Sequence, residues 1–191
     1  MKDIIIDEVL IPSLCKLYEI DYGNILWGVS ERNICARLAH HMENIMREYD
    51  RVNGVGLFNN YYADVEYNRM GNGVQKYYEN REHRPQYMVS DLLIQSRGEE
   101  RNYLAIEMKR RGNHRHIDED RERLRSLVSS QPNGSELRCV YDTMVGAFIT
   151  YSPKDVTIEF FENVNGQGEM TGEMCLVLGY EIDGRRTLYV Q

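Results

Sequence analysis

The sequence has no long apolar run, no closely paired cysteines and no overall excess of basic residues. No stretch approaches the roughly 20 apolar residues that a membrane-spanning helix requires, so we expect no association with a membrane. Three acids, Asp3, Asp7 and Glu8, interrupt the apolar N-terminus, which argues against a secretory signal peptide. The absence of a CxxC pair favours reduced, buried thiols in a cytoplasmic protein over a disulfide framework or a zinc site, and this applies to Cys15, Cys35, Cys139 and Cys175.

Acidic residues outnumber basic ones, and the resulting net charge of −7 argues mildly against nucleic-acid binding. Its distribution is uneven. Residues 97–125 carry nine Lys/Arg and seven Asp/Glu, a local charge of +2. This locally basic segment is compatible with a nucleic-acid substrate.

The length of 191 residues, 42% of them apolar, allows a single domain with a real core, and the order of helix and strand patterns along the chain predicts an α/β fold with a mixed sheet. We expect its core at about residues 30–150. An N-terminal segment, 1–28, with a short helix starting near Pro12, should pack on that core, and residues 151–191 should add strands and a closing hairpin around Asp183 and Gly184.

A leading helix is predicted from an N-cap at Ser30 to about Glu48, because apolar residues recur there at helical spacing: Ile34, Leu38, Met42 and Ile45. Glu31 lies in line with that apolar stripe, so its carboxylate should point toward the protein. The alternative is that Glu31 only complements the positive end of the helix dipole.

Strand and turn patterns follow. They predict a half-buried strand at residues 61–67, a loop with one helical turn near residues 74–80, a hairpin of strands 87–95 and 103–109, a second helix from Ile117, a buried strand at 143–150, another at 156–162, and a loop at 163–172.

The candidate catalytic residues lie on the predicted hairpin. Glu107 and Lys109 are two residues apart on one strand and therefore share a face. A turn within residues 97–102 places Asp91 opposite 107–109 to within one residue, although a slip of one would reverse its face. In the favourable register two carboxylates and an amine converge. Such carboxylates repel one another unless a cation lies between them, and Mg²⁺ or Mn²⁺ prefers carboxylate oxygen.

These residues, Ser90-Asp91 followed by Glu107-Met108-Lys109 after an apolar strand, resemble the PD-(D/E)xK signature of the restriction-endonuclease-like nuclease superfamily. The resemblance covers residues 30–150 and implies a core of helix, three antiparallel strands, helix and strand. It also implies Mg²⁺ or Mn²⁺ held by Asp91, Glu107 and the Met108 carbonyl. Lys109 would position or activate the attacking water, and Glu31 would orient a water or a second metal.

The implied function is metal-dependent hydrolysis of DNA, with a homodimer as one arrangement for cutting both strands. Ser90 departs from the proline of the signature, although that proline binds no metal. Two alternatives stay open: a catalytically inactive binding or regulatory module, and an RNA-directed endonuclease. Arg110, Arg111 and Arg115 are candidates for contact with the nucleic-acid backbone, with solvated loop charges as the alternative.

Other polar residues have plainer interpretations. His40 and His41 are adjacent and point to different faces of the helix, so a solvated or packed pair is favoured over a metal site, with His41 as the less favoured metal ligand. Asp64 and Glu66 fit a solvent-facing acidic edge better than a place beside the metal.

Overall fold

A computed structural model describes residues 1–66, 77–79, 85–87, 89–96, 101–130 and 142–191. The chain begins with a π-helical segment, Ile4–Leu10, and continues through the helices α1 (Ile11–Ile20), α2 (Tyr22–Trp27), α3 (Glu31–Asn53) and α4 (Ile117–Val128). The strands are β1 (Tyr61–Val65), β2 (Tyr77–Glu79), β3 (Pro85–Tyr87), β4 (Leu92–Ser96), β5 (Arg101–Arg110), β6 (Asp142–Tyr151), β7 (Asp155–Val164), β8 (Gln167–Tyr180) and β9 (Arg186–Val190).

Seven strands form one mixed sheet in the order β1-β4-β5-β6-β7-β8-β9. Neighbouring strands are antiparallel except β5 and β6, which are parallel and are connected through α4. A parallel pair needs such a crossover, because a tight turn reverses the chain direction. The chain is therefore an α/β protein with a mixed sheet, as expected, and β2 and β3 form a separate antiparallel pair.

Helices cover both faces of the sheet because alternate strand residues are apolar on each side. The N-terminal helices and α3 pack on the larger core, to which β5 contributes Leu104, Ile106 and Met108. α4 packs on the opposite face, where its residues Leu124, Leu127 and Val128 form a smaller core with the strand residues Leu93, Ala105, Phe148 and Phe161. The side chains on the two faces of β5 therefore pack in two different cores, which are covered by different helices.

Helix α3 begins where the sequence predicts and ends later. The Ser30 hydroxyl accepts a hydrogen bond from the Asn33 amide, which confirms the N-cap. The helix continues beyond Glu48 to Asn53 because Asp50, buried at its end, accepts hydrogen bonds from the Leu57 and Phe58 amides of the following turn. Those bonds join the last helical turn to the loop that leads into β1.

The C-terminal part of the sheet is more regular than its glycine content indicates. The predicted loop at residues 163–172 is wrong, because β7 and β8 pair along almost their full length and only a tight turn separates them. Asn165 and Gly166 supply that turn with φ angles of 53° and 93°. The predicted closing hairpin is confirmed as β8 and β9.

Other local predictions differ from the structure in detail. The helical turn proposed near residues 74–80 is wrong where the structure describes it, since Tyr77–Glu79 is a strand. The strand predicted at 87–95 is shorter, with β4 starting at Leu92. Of the turn predicted within residues 97–102, residues 97–100 lie outside the described residues, as do Tyr67 and Cys139, whereas Arg101 and Asn102 already belong to β5. Of the described cysteines, Cys35 is buried, and the thiols of Cys15 and Cys175 are free but partly exposed.

The N-terminal helices are joined to α3 by a polar contact. Asp21 separates α1 from α2 and accepts a hydrogen bond from Arg37 Nε at 2.8 Å, while its other oxygen lies 2.6 Å from His41 Nε2. Burial alone would raise the pKa of Asp21, but the hydrogen bonds from Arg37 and His41 outweigh burial and lower that pKa. His41 is thus a packed histidine paired with an acid, and His40 is exposed, as the sequence favoured. Within the described residues, the helices lack the combination of length and hydrophobicity needed to cross a membrane.

We predict that Asp21→Asn lowers the free energy of unfolding by about 1–3 kcal/mol at pH 7, because charged hydrogen bonds to Arg37 and His41 are lost. A lowered pKa in the folded state contributes stability above the unfolded value of about 3.9, and this contribution disappears as the pH falls through the folded-state value. Thermal and urea unfolding of both proteins from pH 7 to pH 3 should therefore show the difference shrinking in acid. Asp118→Asn, at a carboxylate that is 92% exposed, is the control. A difference that grows below pH 4 would contradict the assignment.

Candidate active site

Strand β5 delivers the two charged residues of the signature to the face covered by α4. Ala105 packs in the smaller core, so Glu107 and Lys109, two and four residues further on, project from the same side. The Met108 side chain between them points to the opposite face, where it is fully buried. The strand period alone thus separates the acid and the amine from the larger core.

Asp91 reaches the same place through the β4–β5 pairing. Leu92 pairs with Ile106, so Asp91 lies opposite Glu107 at the next position. Its Oδ2 atom accepts a hydrogen bond of 2.8 Å from the Met108 amide. This is the favourable one of the two registers that the sequence left open, and it brings the two carboxylates to one face of one end of the hairpin.

Glu107 is the most buried charged group of this region, with 1% of the residue exposed. Its Oε1 atom accepts a hydrogen bond of 2.8 Å from Arg123, whereas its Oε2 atom is buried without a hydrogen-bond partner among the described residues. Burial raises the pKa of Glu107 well above its usual value, with the charges of Asp91 and Asp120 acting in the same direction and Arg123 only partly opposing them. One oxygen of Glu107 is therefore desolvated and receives no hydrogen bond from the described residues.

Lys109 lies between two acids from different helices. Its Nζ atom is 2.9 Å from Asp120 Oδ2 of α4 and 3.9 Å from Glu31 Oε2 of α3. Burial by itself lowers the pKa of Lys109, but the hydrogen bond and charge of Asp120, together with Asp91 and Glu31, raise it above its usual value. The amine is consequently held as an ammonium group at neutral pH.

Glu31 does more than complement a helix dipole, because its carboxylate connects α3 to the end of β5. Its Oε1 atom accepts a hydrogen bond of 3.0 Å from the Arg110 amide and one of 2.8 Å from Asn113 Nδ2. The carboxylate thus points toward the protein, as its place in the apolar stripe predicts. It holds the loop after β5 and leaves Oε2 directed at Lys109.

Two residues of α4 belong to this cluster and were not singled out from the sequence. Asp120 and Arg123 are one helical turn apart, and their side chains approach to 3.3 Å. Asp120 is 3% exposed and contacts Lys109, while Arg123 contacts Glu107. One sequence signal could have revealed Asp120: it falls in the apolar stripe of α4 with Ile117 and Leu124, as Glu31 does in α3.

The cluster carries more negative than positive charge. Four carboxylates stand against two cations, a formal charge of −2, in the set Glu31, Asp91, Glu107, Asp120, Lys109 and Arg123. Burial also raises the pKa of Asp91 above its usual value, with Asp120 adding to the rise. The negative charges of the cluster also act on Cys35: burial is the main cause of the raised pKa of its thiol, and the charges of Asp91 and Glu107 raise that pKa further.

The cluster offers few protein ligands for a metal ion. In the described part of the chain, no group of three or more His, Cys, Asp or Glu side chains is arranged to hold a metal. Mg²⁺ often takes only one or two protein carboxylates, and Asp91 together with the unpartnered Glu107 Oε2 atom meets that requirement. Arg123 on the other oxygen of Glu107 is the one feature that competes with such an ion.

The three arginines predicted to contact nucleic acid are placed differently from one another. The Arg110 guanidinium packs against Gly28, which has a φ of +68°; a Cβ added there would lie 1.7 Å from Arg110 Nη1. Arg111 turns toward β7 and pairs with Asp155 at 3.0 Å. Arg115 is exposed in the loop before α4.

The remaining acids near the site are engaged at the sheet edge. Asp64 accepts a hydrogen bond of 2.9 Å from Gln95, and Glu66 is exposed and pairs with Arg32 at 2.6 Å. Both contacts agree with an edge role rather than with a place in the charged cluster. Ser90, where the signature has proline, is buried at 3% exposure directly before Asp91.

No family model, curated protein or solved structure matches this chain.

We predict that Glu31→Ala loosens the end of β5, because the Arg110 amide and Asn113 lose their common acceptor. Loss of one hydrogen bond of about 1–1.5 kcal/mol corresponds to roughly tenfold faster hydrogen exchange at the Arg110 amide if it opens locally. Exchange measured by NMR or mass spectrometry over residues 107–116 tests this. Glu31→Gln keeps an acceptor oxygen and should remain close to wild type. Unchanged exchange in Glu31→Ala would contradict the role assigned to this carboxylate.

Proposed function

We propose that the chain is a Mg²⁺- or Mn²⁺-dependent nuclease of the restriction-endonuclease-like, PD-(D/E)xK superfamily, and that it hydrolyses phosphodiester bonds of DNA. Two kinds of observation support the proposal. The element order α3, β1, β4, β5, α4, β6 is that of the family's core, with the β2–β3 pair inserted. The side chains of Asp91, Glu107 and Lys109 also share one face of adjacent strands.

The single observation that carries the proposal is the buried Oε2 atom of Glu107, which has no hydrogen-bond partner among the described residues and lies on the same face of adjacent strands as Asp91 and Lys109. A desolvated carboxylate oxygen without a partner is unfavourable in a folded protein unless another group uses it. Strongly raised pKa values of this kind also concentrate at functional sites. A structural ion pair between Glu107 and Arg123 would need only one of the two oxygens.

In the proposed site, Asp91 and Glu107 would hold the divalent ion, with the Met108 carbonyl as the third protein ligand implied by the family. A bound ion of this class lowers the pKa of water and neutralises charge on a phosphodiester. The formal charge of −2 of the cluster is equal in magnitude and opposite in sign to the charge of one such ion. The ion would offset the repulsion from Asp91 and Asp120, which adds to the effect of burial, the main cause of the raised pKa of Glu107.

Lys109 would act as a cation rather than as a base. Its raised pKa keeps it protonated, so it can donate a hydrogen bond to an oxygen on which negative charge develops. Asp120 fixes the amine from α4, and Glu31 Oε2 faces it from α3. This arrangement favours a lysine that stabilises developing negative charge over one that activates the water by abstracting its proton.

DNA is proposed as the substrate, with the basic loop 110–116 guiding the phosphate backbone to the site. Arg115 is exposed there, and Arg110 follows Lys109 directly in the chain. We also propose that the protein acts in the cytoplasm, and that a homodimer would bring two such sites together for cleavage of both strands.

One observation favours a second candidate function, a non-catalytic binding module on the same scaffold. Arg123 already neutralises one oxygen of Glu107, so part of the charge that would attract a metal is balanced inside the protein. Binding of Mn²⁺ measured by calorimetry separates the two candidates, because the module requires none.

We predict that purified protein cleaves DNA in the presence of millimolar Mg²⁺ or Mn²⁺ and leaves 5′ phosphates. Single-stranded, double-stranded and branched DNA should be compared with RNA of the same sequence. Glu107→Gln and Lys109→Met should each lower the cleavage rate by about 100-fold or more, because they remove a metal ligand and a charge-stabilising donor.

The matched controls are Glu162→Gln and Lys2→Met, which break a partly exposed ion pair of 2.8 Å away from the cluster and should leave the rate unchanged. Circular dichroism and thermal unfolding verify that every variant is folded. Wild-type cleavage rates in folded Glu107→Gln or Lys109→Met would contradict the proposal, and preferential cleavage of RNA would redirect it to an RNA endonuclease.

A further inference from the structure

Arg123 occupies an unusual position, because one guanidinium group joins three parts of the candidate site. Its Nη1 atom donates to Glu107 Oε1 at 2.8 Å and to the Val89 carbonyl at 3.1 Å, immediately before Ser90 and Asp91. Its Nη2 atom is 3.3 Å from Asp120 Oδ1. The planar fork therefore spans a carboxylate of β5, the backbone entering β4 and a carboxylate of its own helix.

We propose that Arg123 is a built-in counter-cation that competes with the divalent ion for Glu107, and that Asp120 is the partner Arg123 retains when the ion binds; this inference rests on the metal site of the proposed function. Glu107 is 1% exposed, and an isolated charge at such a position is strongly unfavourable. In the metal-free protein Arg123 supplies the compensating charge.

Competition follows from the sharing of one carboxylate. A divalent ion on Glu107 and a guanidinium on the same group repel one another, and the repulsion is strong because the carboxylate is removed from solvent. The binding of the ion must therefore overcome the field of Arg123 or displace it. Asp120 makes that step possible, since it lies within reach of Arg123 and is itself only 3% exposed.

The functional consequence is a metal site that is weaker than its carboxylates alone would make it. An ion has to exceed a threshold concentration before Glu107 exchanges Arg123 for it. Two residues of α4 contact both charged residues that β5 contributes to the cluster. Arg123 contacts Glu107, and Asp120 contacts Lys109 at 2.9 Å. α4 thus regulates the acid through Arg123 and positions the amine through Asp120.

The test is titration of the metal-free protein with MnCl₂ alone, followed by calorimetry and by thermal unfolding with and without Mn²⁺. Arg123→Met removes the charge and keeps most of the side-chain length. We expect it to bind Mn²⁺ about tenfold more tightly or better, since a nearby positive charge is removed. Its metal-free melting temperature should fall, and its gain in melting temperature with Mn²⁺ should exceed that of wild type, because the ion stabilises only the folded state.

Arg125→Met is the matched control on the same helix. The Arg125 guanidinium lies over the Phe161 ring at 5.2 Å, and its loss should leave the affinity for Mn²⁺ unchanged. We expect Asp120→Asn to change the affinity for Mn²⁺ in the opposite direction. Without the Asp120 carboxylate, Arg123 should remain paired with Glu107 and lower the affinity for Mn²⁺. Arg123→Gln, which can still donate a hydrogen bond to Glu107, replaces Arg123→Met if the latter does not fold.

The outcomes separate this inference from the proposed function. Tighter binding of Mn²⁺ by the Arg123 variants and weaker binding by Asp120→Asn support it. Equal Mn²⁺ affinity in wild type and the Arg123 variants, with wild-type cleavage intact, overturns the inference alone. Reduced affinity in every Arg123 and Asp120 variant assigns the pair a purely structural role and also overturns it. Absence of Mn²⁺ binding in wild type overturns both the metal site and the inference.

Discussion

The burial of Glu107 is the constraint on which the rest of this site depends. The negative charge of a carboxylate buried beneath a helix has to be balanced by a nearby cation, and here Arg123 of the covering helix α4 supplies it. Asp120 of the same helix pairs with the neighbouring Lys109. Buried ion pairs contribute little to stability compared with apolar groups of the same volume, so a purely structural need would be met better by hydrophobic residues. The presence of this network at the end of the sheet therefore supports the proposed chemical role over a purely stabilising one.

Topology explains why these groups meet at one place. The β4–β5 pairing brings Asp91 to Glu107, and the parallel β5–β6 pair requires a crossover that positions α4 over the same strand end. α3 covers the other face, yet Glu31 at its first turn reaches around the end of β5 to accept the Arg110 amide. The site thus lies where two helix layers and one strand end converge, and no single element could assemble it.

The parts that could be predicted from the sequence are those encoded within one or two elements. Helical spacing and a capping serine defined the start of α3, and strand alternation placed Glu107 and Lys109 on one face. Helical spacing alone does not reveal the extension of α3 to Asn53, because it depends on hydrogen bonds between Asp50 and the turn that follows the helix. Glycines in residues 163–172 favour a loop, whereas Asn165-Gly166 is a local hairpin signal that agrees with the observed pairing of β7 and β8.

Asp120 and Arg123 show most clearly which site residues the sequence can and cannot reveal. An acid within the apolar stripe of α4 is a local signal, and the reasoning that singled out Glu31 applies to Asp120 without change. Arg123 offers no such signal, because its function depends on which carboxylate the folded sheet presents to it. Asp120 also changes the chemistry expected of the signature, because it holds Lys109 as an ammonium group. With Asp120 holding Lys109 as an ammonium group, the proton of an attacking water must leave by another route, so the proposed hydrolysis relies on the lysine for charge and on the carboxylates for placement.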